Sequence, residues 1–238
     1  MTPLVTKMIE AGYGDRPFTE RQLASILRVG DASRYGLVNR ALRDGSLLRV
    51  RRGLYLLGAS WSKRGLESPE IHPFAIAQAL KHCSYISFET ALSYHGWIPE
   101  AVYLTASVTP DSKTLKYETP TWGTFQFSPL AVNDYQFLVG INRIKVGPLT
   151  ALVGRPLRAL MDVVANRKIA WQGLDWITQG LRVDADYLHN LSAEDFDELE
   201  PVYKHKVARD FLTNLRAVIL PLKSPKLPLV DRDLRKRA

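Results

Sequence analysis

The sequence predicts an α+β protein: a small unit of helices and a hairpin, then a mixed α/β domain with a mainly antiparallel sheet and C-terminal helices. Three observations predict this order. Apolar residues recur at helical spacing up to about residue 43, alternate with a period near two over 102–146, and return to helical spacing from residue 155. The chain has 238 residues, of which 46% are hydrophobic, so it is long enough to build two cores.

These patterns divide the chain into four segments. We expect a first domain over 1–58, a connection over 59–70 that contains Gly, Ser and Pro, a second domain over 71–220, and a basic, extended tail over 221–238. Because the second domain has its own predicted helices and sheet, a fragment that begins near Pro69 is expected to fold alone.

Three helices are predicted in the first domain. Thr2 and Pro3 favour a helix start, and Thr19 with Gln22 forms a capping box for the second helix. Asp31 is expected to cap the third helix by accepting backbone N–H groups. The apolar face of this third helix comprises Leu37, Val38, Ala41 and Leu42.

A tight hairpin with a basic tip is predicted to follow. Gly45 stands where a left-handed helix end is expected. Apolar residues on the two strands flank a turn near Arg52-Gly53, and Arg51 and Arg52 occupy its tip. The apolar ribbon of the hairpin must cover another part of the molecule.

The polar face of the third helix matches the chemistry of base edges in DNA. Arg and Asn make bidentate contacts with guanine and adenine in the major groove, and a glycine lets the backbone approach closely. The tip arginines would meet phosphate or the adjacent groove. This layout predicts a winged helix-turn-helix; the alternative is a small helical subdomain with a solvated basic face. The predicted DNA-binding residues are Ser33, Arg34, Tyr35, Gly36, Asn39, Arg40, Arg43, Arg51 and Arg52, with Arg34 placed nearest the apolar side.

Composition favours an anionic partner and a reducing compartment. The formal net charge is +8 and the pI about 9.6, and residues 1–58 hold ten Lys or Arg against five Asp or Glu. The single Cys83 excludes an intramolecular disulfide and is expected to be a small core residue. The sequence has no signal-peptide pattern and no apolar run near the ~18 residues of a membrane span, so we expect a cytoplasmic protein without a membrane partner.

The second domain is predicted to run from helices to strands and back to helices. Ser87 is the expected cap of its second helix, with Thr90 at the box position. The predicted helices cover 72–82, 85–98, 155–166, 174–181, a segment that Ser192 opens, and 202–220. The predicted strands cover 102–108, 115–119, 124–127, 136–139 and 141–146.

Patterns typical of catalysis are missing from the sequence. It has no Gly-rich phosphate loop after a strand, no paired cysteines, and five histidines without metal-ligand spacing. We therefore expect no enzyme, no cofactor and no metal. A nuclease is the remaining enzymatic alternative, and Asp111, Glu118 and Asp134 are the only acids in the strand region that it could use.

Two parts of the chain resemble AbiEi-type antitoxins of type IV toxin–antitoxin systems. The segment SRYGLVNRALRDGSLLRVRRGLYLLG resembles their N-terminal winged helix, in which a G.L.RV.RG.Y.L ending recurs. The segments YISFETALSYHGWIPE and RPLRALMDVV resemble the antitoxin domain, in the same order. The resemblance covers most of residues 18–168, and Phe88-Glu89-Thr90 departs from it where a small residue is often found.

The resemblance implies two activities. The winged helix would bind inverted repeats in double-stranded DNA at its own promoter and repress it. The second domain would neutralise a cognate nucleotidyltransferase-like toxin, with or without direct contact. The alternative is a stand-alone winged-helix transcriptional regulator whose second domain senses a ligand or dimerises.

Overall fold

The structure, a computed structural model, describes residues 3–58, 71–100 and 102–223. Thr2, the predicted connection and most of the predicted tail lie outside the described residues. The N-terminal unit contains, in chain order, α1 (Pro3–Glu10), β1 (Phe18–Thr19), α2 (Glu20–Leu27), α3 (Asp31–Arg43), β2 (Leu47–Arg51) and β3 (Leu54–Leu57).

Local capping groups set the starts of α2 and α3. The Gln22 N–H donates to Thr19 Oγ1 at 3.3 Å and the Thr19 N–H donates to Gln22 Oε1 at 2.7 Å, which confirms the capping box. The prediction for α3 was wrong by one residue. Gly30 is the cap, and Asp31 is the first helical residue, where its carboxylate pairs with Arg34 at 2.8 Å.

The hairpin of β2 and β3 supplies buried residues to two different cores. The sheet has the order β1-β3-β2 with antiparallel pairs throughout. Tyr55 and Leu57 contribute to the core formed with α1, α2 and α3, whereas Val50, Leu54 and Leu56 contribute to the core of the following unit. Alternate residues of a strand point to opposite faces, so one hairpin serves both cores.

The C-terminal unit is a mixed α/β structure. Its middle contains one six-stranded sheet, and helices precede and follow the strands. Its elements are α4 (Pro73–Leu80), β4 (Tyr85–Ile86), α5 (Phe88–Tyr94), β5 (Leu104–Thr109), β6 (Leu115–Thr119), β7 (Gly123–Pro129), β8 (Ile141–Val146), β9 (Leu149–Gly154), α6 (Pro156–Arg167), a π-helical turn (Trp176–Gly180), α7 (Ala185–His189), α8 (Ala193–Leu199) and α9 (Lys206–Lys223).

The larger sheet is rich in antiparallel pairs, as predicted, but it also contains parallel ones. Its order is β6-β7-β5-β4-β9-β8. The pairs β6–β7, β4–β5 and β8–β9 are antiparallel, and β5–β7 and β4–β9 are parallel. The short strand β4 therefore sits in the middle of the sheet, and helix α5 leaves directly from its end.

The helix predicted over residues 85–98 is shorter than the sequence suggested. Tyr85 and Ile86 form β4 instead, because both are fully buried at the centre of the sheet. The Ser87 side chain does not cap α5 but donates to Asp162 Oδ2 at 2.6 Å. Thr90 Oγ1 donates to the Leu104 carbonyl oxygen at 2.6 Å, which ties α5 to β5.

Other predictions in this unit were also wrong. Residues 136–139 form turns rather than a strand, and the sequence analysis missed β9. The last helix begins at Lys206 because Tyr203, in the segment before it, pairs with Val132 in a β-bridge. That helix continues through Pro221, where the predicted tail was expected to begin.

Cys83 is exposed, so its assignment to the core was wrong. It lies in the turn after α4 with φ +60°, in the left-handed region. The apolar neighbours in sequence belong to α4 and β4, which the turn separates.

Candidate nucleic-acid interface

One face of α3 is polar and exposed. Val38 and Ala41 on the opposite side are buried, which fixes the rotation of the helix on its unit. A Cβ built on Gly36 would meet no atom of the described residues within 4 Å, so none of their contacts requires glycine at this position. The outer face of α3 consists of Gly36, Asn39, Arg40 and Arg43, all exposed.

The arginines of this face are held along the helix. Arg40 Nε donates to the Gly36 carbonyl oxygen at 3.4 Å, and Arg43 Nε donates to the Asn39 carbonyl oxygen at 3.3 Å. Each bond uses only one donor of a guanidinium that has five. No other hydrogen bond or ion pair with a described residue engages the remaining donors of either arginine, so they can donate to an acceptor outside the protein.

The first turn of α3 divides into exposed and buried members. Ser33 and Tyr35 are exposed, the latter to 54%. The Arg34 side chain is only 12% exposed and pairs with Asp31 at 2.8 Å and with Glu20 at 3.8 Å. Arg34 therefore joins α3 to α2, and this ion pair would have to open before Arg34 reached a nucleic acid.

The hairpin tip lies beside the second unit. Arg51 and Arg52 are exposed at a turn that Gly53 closes with φ +76°. The Arg51 guanidinium carbon lies 6.0 Å from the centroid of the Tyr117 ring on β6. Arg52 has no such ring contact within the described residues. The two tip arginines thus have different surroundings.

Asp44 and Asp31, acidic residues of this region, each bind another group of the protein. Asp44, next to Arg43, accepts from the Ser46 N–H at 2.9 Å, and the hydrogen bonds from Ser46 hold the pKa of Asp44 below its ordinary value. Asp31 is paired with Arg34. Among the described residues, no ion pair reaches the exposed arginines of this region, which are Arg40, Arg43, Arg49, Arg51 and Arg52.

A cleft of about 690 Å³ opens between α3, β2 and the turn that joins β6 to β7. The sequence gives no sign of it, because the turn lies about eighty residues along the chain from the helix. Arg49 was missed for a different reason: it is two residues from the predicted tip, on a strand assigned to packing. The lining consists of Asn39, Leu42, Arg43, Leu47, Leu48, Arg49, Pro120 and Thr121.

A second group of polar residues lies deep in the C-terminal unit. Arg158 and Asp162 are both fully buried, and Arg158 Nε donates to Asp162 Oδ1 at 2.9 Å. The Asp162 carboxylate also accepts from the hydroxyls of Tyr85 (2.9 Å), Ser87 (2.6 Å) and Tyr203 (2.8 Å). This buried polar network joins the two segments that carry the family resemblance in this unit. Its members are enclosed, so they hold the fold and do not present a surface.

A smaller cavity of about 220 Å³ lies near this network. Trp97 and Tyr187 stack with ring centroids 5.8 Å apart, and Asn190 and Asp195 also line it. Apolar walls with a few polar groups are typical of small-molecule sites.

The three acids of the strand region, which a nuclease could use, each form an ion pair with a lysine. Asp111, Glu118 and Asp134 pair with three different lysines, which are Lys81, Lys116 and Lys204. The described residues contain no cluster of three or more His, Cys, Asp or Glu suited to a metal ion.

His95 is likewise part of the scaffold. Its Nε2 lies 2.9 Å from the Gly154 carbonyl oxygen, and burial lowers the pKa of its imidazole. The contact joins the end of α5 to the end of β9, at the start of the segment that leads into α6.

No described helix combines the length and apolarity needed to cross a membrane. No family model and no curated protein matches the sequence.

Proposed function

We propose that the N-terminal unit is a winged helix-turn-helix that binds double-stranded DNA with α3 in the major groove. The observation that carries this proposal is the exposed outer face of α3, which presents Asn39, Arg40 and Arg43. The same face includes Gly36, whose missing side chain no contact with the described residues requires. The exposed Arg51 and Arg52 of the hairpin tip add two further positive charges to this unit.

The dimensions and chemistry of α3 support this mode of binding. A helix of 13 residues is about 20 Å long, and the major groove of about 12 Å width admits a helix. Phosphate contacts by the tip would position the protein, whereas Asn39 and Arg40 would read base edges. The net charge of +8 favours the approach to DNA at low salt.

Arg40→Ala tests the base-reading role. If Arg40 contacts a base, the change costs about 1–3 kcal/mol of binding free energy and relaxes specificity at one position. The measurement is fluorescence anisotropy and footprinting on the DNA upstream of the protein's own gene. Arg143→Ala is the matched control, since Arg143 is exposed on β8 of the other unit. An unchanged footprint and affinity for Arg40→Ala would remove this residue from the recognition surface.

We further propose that the protein is an antitoxin of a type IV system that represses its own promoter at inverted repeats. The support is the resemblance to AbiEi-type antitoxins, whose segments here occur in the same order. Coexpression with a nucleotidyltransferase-like protein encoded beside this gene tests the proposal through growth. Growth arrest that the chain relieves is the expected result, and arrest that it leaves unchanged would contradict it.

The second candidate is a stand-alone regulator that senses a ligand. The cavity beside the Trp97–Tyr187 stack favours it, because aromatic and polar groups converge there. A small molecule that changes DNA affinity in the wild-type chain, but not after Asn190→Leu, would support this candidate. The absence of a toxin gene beside this one would support it as well.

A further inference from the structure

We propose that the cleft between α3, β2 and the β6–β7 turn holds a segment of the DNA sugar–phosphate backbone, so that the C-terminal unit contacts DNA directly. The inference rests on the proposed DNA-binding function and adds to it a contact from the other unit. The residues that would bind phosphate are Arg43, Arg49 and Thr121.

The cleft is continuous with the proposed DNA-binding face. Asn39 and Arg43 belong both to the outer face of α3 and to the wall of the cleft. When a helix lies in the major groove, the sugar–phosphate strands form the two rims of that groove and pass beside the helix. A strand that passes the C-terminal half of α3 would therefore enter the cleft.

The charges of the cleft match a phosphodiester. Arg43 and Arg49 form no ion pair among the described residues, and the lining includes no carboxylate. The nearest acids in sequence are already bound: Asp44 accepts from Ser46, and Glu118 pairs with Lys116 at 2.8 Å.

Apolar and polar parts of the cleft also suit a sugar–phosphate strand. Leu42 and Leu48, both half-buried, provide an apolar floor, against which deoxyribose rings can pack. At about 690 Å³ the cleft is large enough for a segment of backbone. A free inorganic anion would use the arginines but leave this floor uncovered.

The turn that presents Thr121 is fixed by its own hydrogen bonds. Thr119 Oγ1 accepts from the Trp122 N–H and donates to the Gly123 carbonyl oxygen, both at 3.0 Å. Thr121 is exposed between these anchors. Its hydroxyl is therefore a donor on a hydrogen-bonded turn, in the same cleft lining as the two arginines.

Two variants test the contact in the full-length protein. Arg49→Ala should weaken binding to operator and scrambled duplex by about tenfold each and reduce the slope of log affinity against log salt by about 0.9. Thr121→Glu should weaken binding by at least tenfold, because it places a negative charge beside phosphate. Thr213→Glu, at an exposed position of α9, is the matched control and should bind within about twofold of the wild type.

The outcomes separate this inference from the proposed function. Each variant must have the same thermal unfolding midpoint as the wild type. Thr121→Val then tests the contribution of the hydroxyl to binding, because it removes the hydroxyl without adding a charge. Loss of binding in Arg40→Ala, with wild-type affinity and salt slope in both Arg49→Ala and Thr121→Glu, would overturn the inference and leave the proposed function standing. A wild-type chain that binds no duplex would overturn both.

Discussion

Arg158 and Asp162 form an ion pair one helical turn apart with both side chains fully buried. Burial alone would lower the pKa of Arg158, but the negative charge of Asp162 and the neighbouring tyrosines outweigh burial and leave that pKa raised. Arg158 also donates from Nη1 to the Val139 carbonyl oxygen at 2.7 Å. The pair therefore links α6 to the turns before β8 as well as to β4.

Removing one partner of this pair should be strongly destabilising. Asp162→Ala leaves a buried guanidinium without its counter-charge, which typically costs about 3–5 kcal/mol of unfolding free energy. Urea denaturation measures the loss. Glu118→Ala breaks an exposed pair with Lys116 and should cost at most about 1 kcal/mol. The double change Arg158→Met/Asp162→Leu should lose less than Asp162→Ala; an equal or larger loss would contradict this account.

The same network predicts a loss of stability at alkaline pH. Burial first, and then the charge of Asp162, raise the pKa of Tyr85 and of Tyr203 well above the ordinary value. Above about pH 10 the unfolded chain releases these phenolic protons while the native state retains them, so the free energy of unfolding falls as pH rises. Each tyrosine contributes up to about 1.4 kcal/mol per pH unit, and the loss continues until pH reaches the raised pKa.

Urea unfolding between pH 8 and pH 11.5 measures this slope. Tyr85→Phe should make the slope shallower by one tyrosine's share, although it also lowers stability at every pH by removing a hydrogen bond. Tyr103→Phe changes a side chain that is 90% exposed and should leave the slope as in the wild type. Equal slopes for all three proteins would show that the buried tyrosines are not responsible.

Sequence reasoning succeeded where the determining interactions are local. The Thr19 capping box, the apolar face of α3 and the strand bounds of β6 and β8 depend on neighbours a few residues away. It failed where distant segments decide the structure. Tyr85 and Ile86 follow a helical pattern but are held in the sheet by β5 and β9.

The same distinction between local and long-range interactions applies to the candidate site. Helical spacing was enough to place Asn39, Arg40 and Arg43 on one exposed face. It did not reveal that Arg34 is paired with Asp31 and Glu20, since Glu20 lies on another helix. Nor does spacing reveal burial: Arg158 and Asp162 have the interval of a surface ion pair yet are enclosed.

The shared hairpin predicts that the two units unfold together. Leu56 is buried against the core of the C-terminal unit although it belongs to the N-terminal sheet. Leu56→Ala should therefore cost about 2–5 kcal/mol and lower the stability of both units in a single transition. Calorimetry combined with tryptophan fluorescence measures this. Leu138→Ala, at a position 55% exposed, is the control and should change stability by at most about 0.5 kcal/mol.

The hairpin also changes what we expect of a fragment that begins near Pro69. Such a fragment lacks Val50, Leu54 and Leu56, so it exposes the apolar surface that they cover. We expect it to bind a hydrophobic dye and to unfold at a lower temperature than the full chain. A fragment as stable as the full chain would show that the hairpin contributes little to the larger core.

The two arginines of the hairpin tip should serve affinity more than sequence choice. Phosphate contacts position a protein without reading bases, and each one releases condensed counterions. Arg51→Ala/Arg52→Ala should therefore weaken binding to all duplexes about equally and make the log–log salt slope shallower by up to about two units, at roughly 0.9 per lost contact.

The single variants should not be equivalent. Arg51 lies over the Tyr117 ring, a contact that already satisfies part of its charge, whereas Arg52 has no ring or ion-pair partner among the described residues. Arg52→Ala is expected to carry the larger share of the slope change. Binding isotherms at several salt concentrations, on operator and scrambled DNA, measure both. A slope equal to that of the wild type would mean that the tip arginines only solvate the turn, and a loss confined to operator DNA would mean that the tip reads a groove.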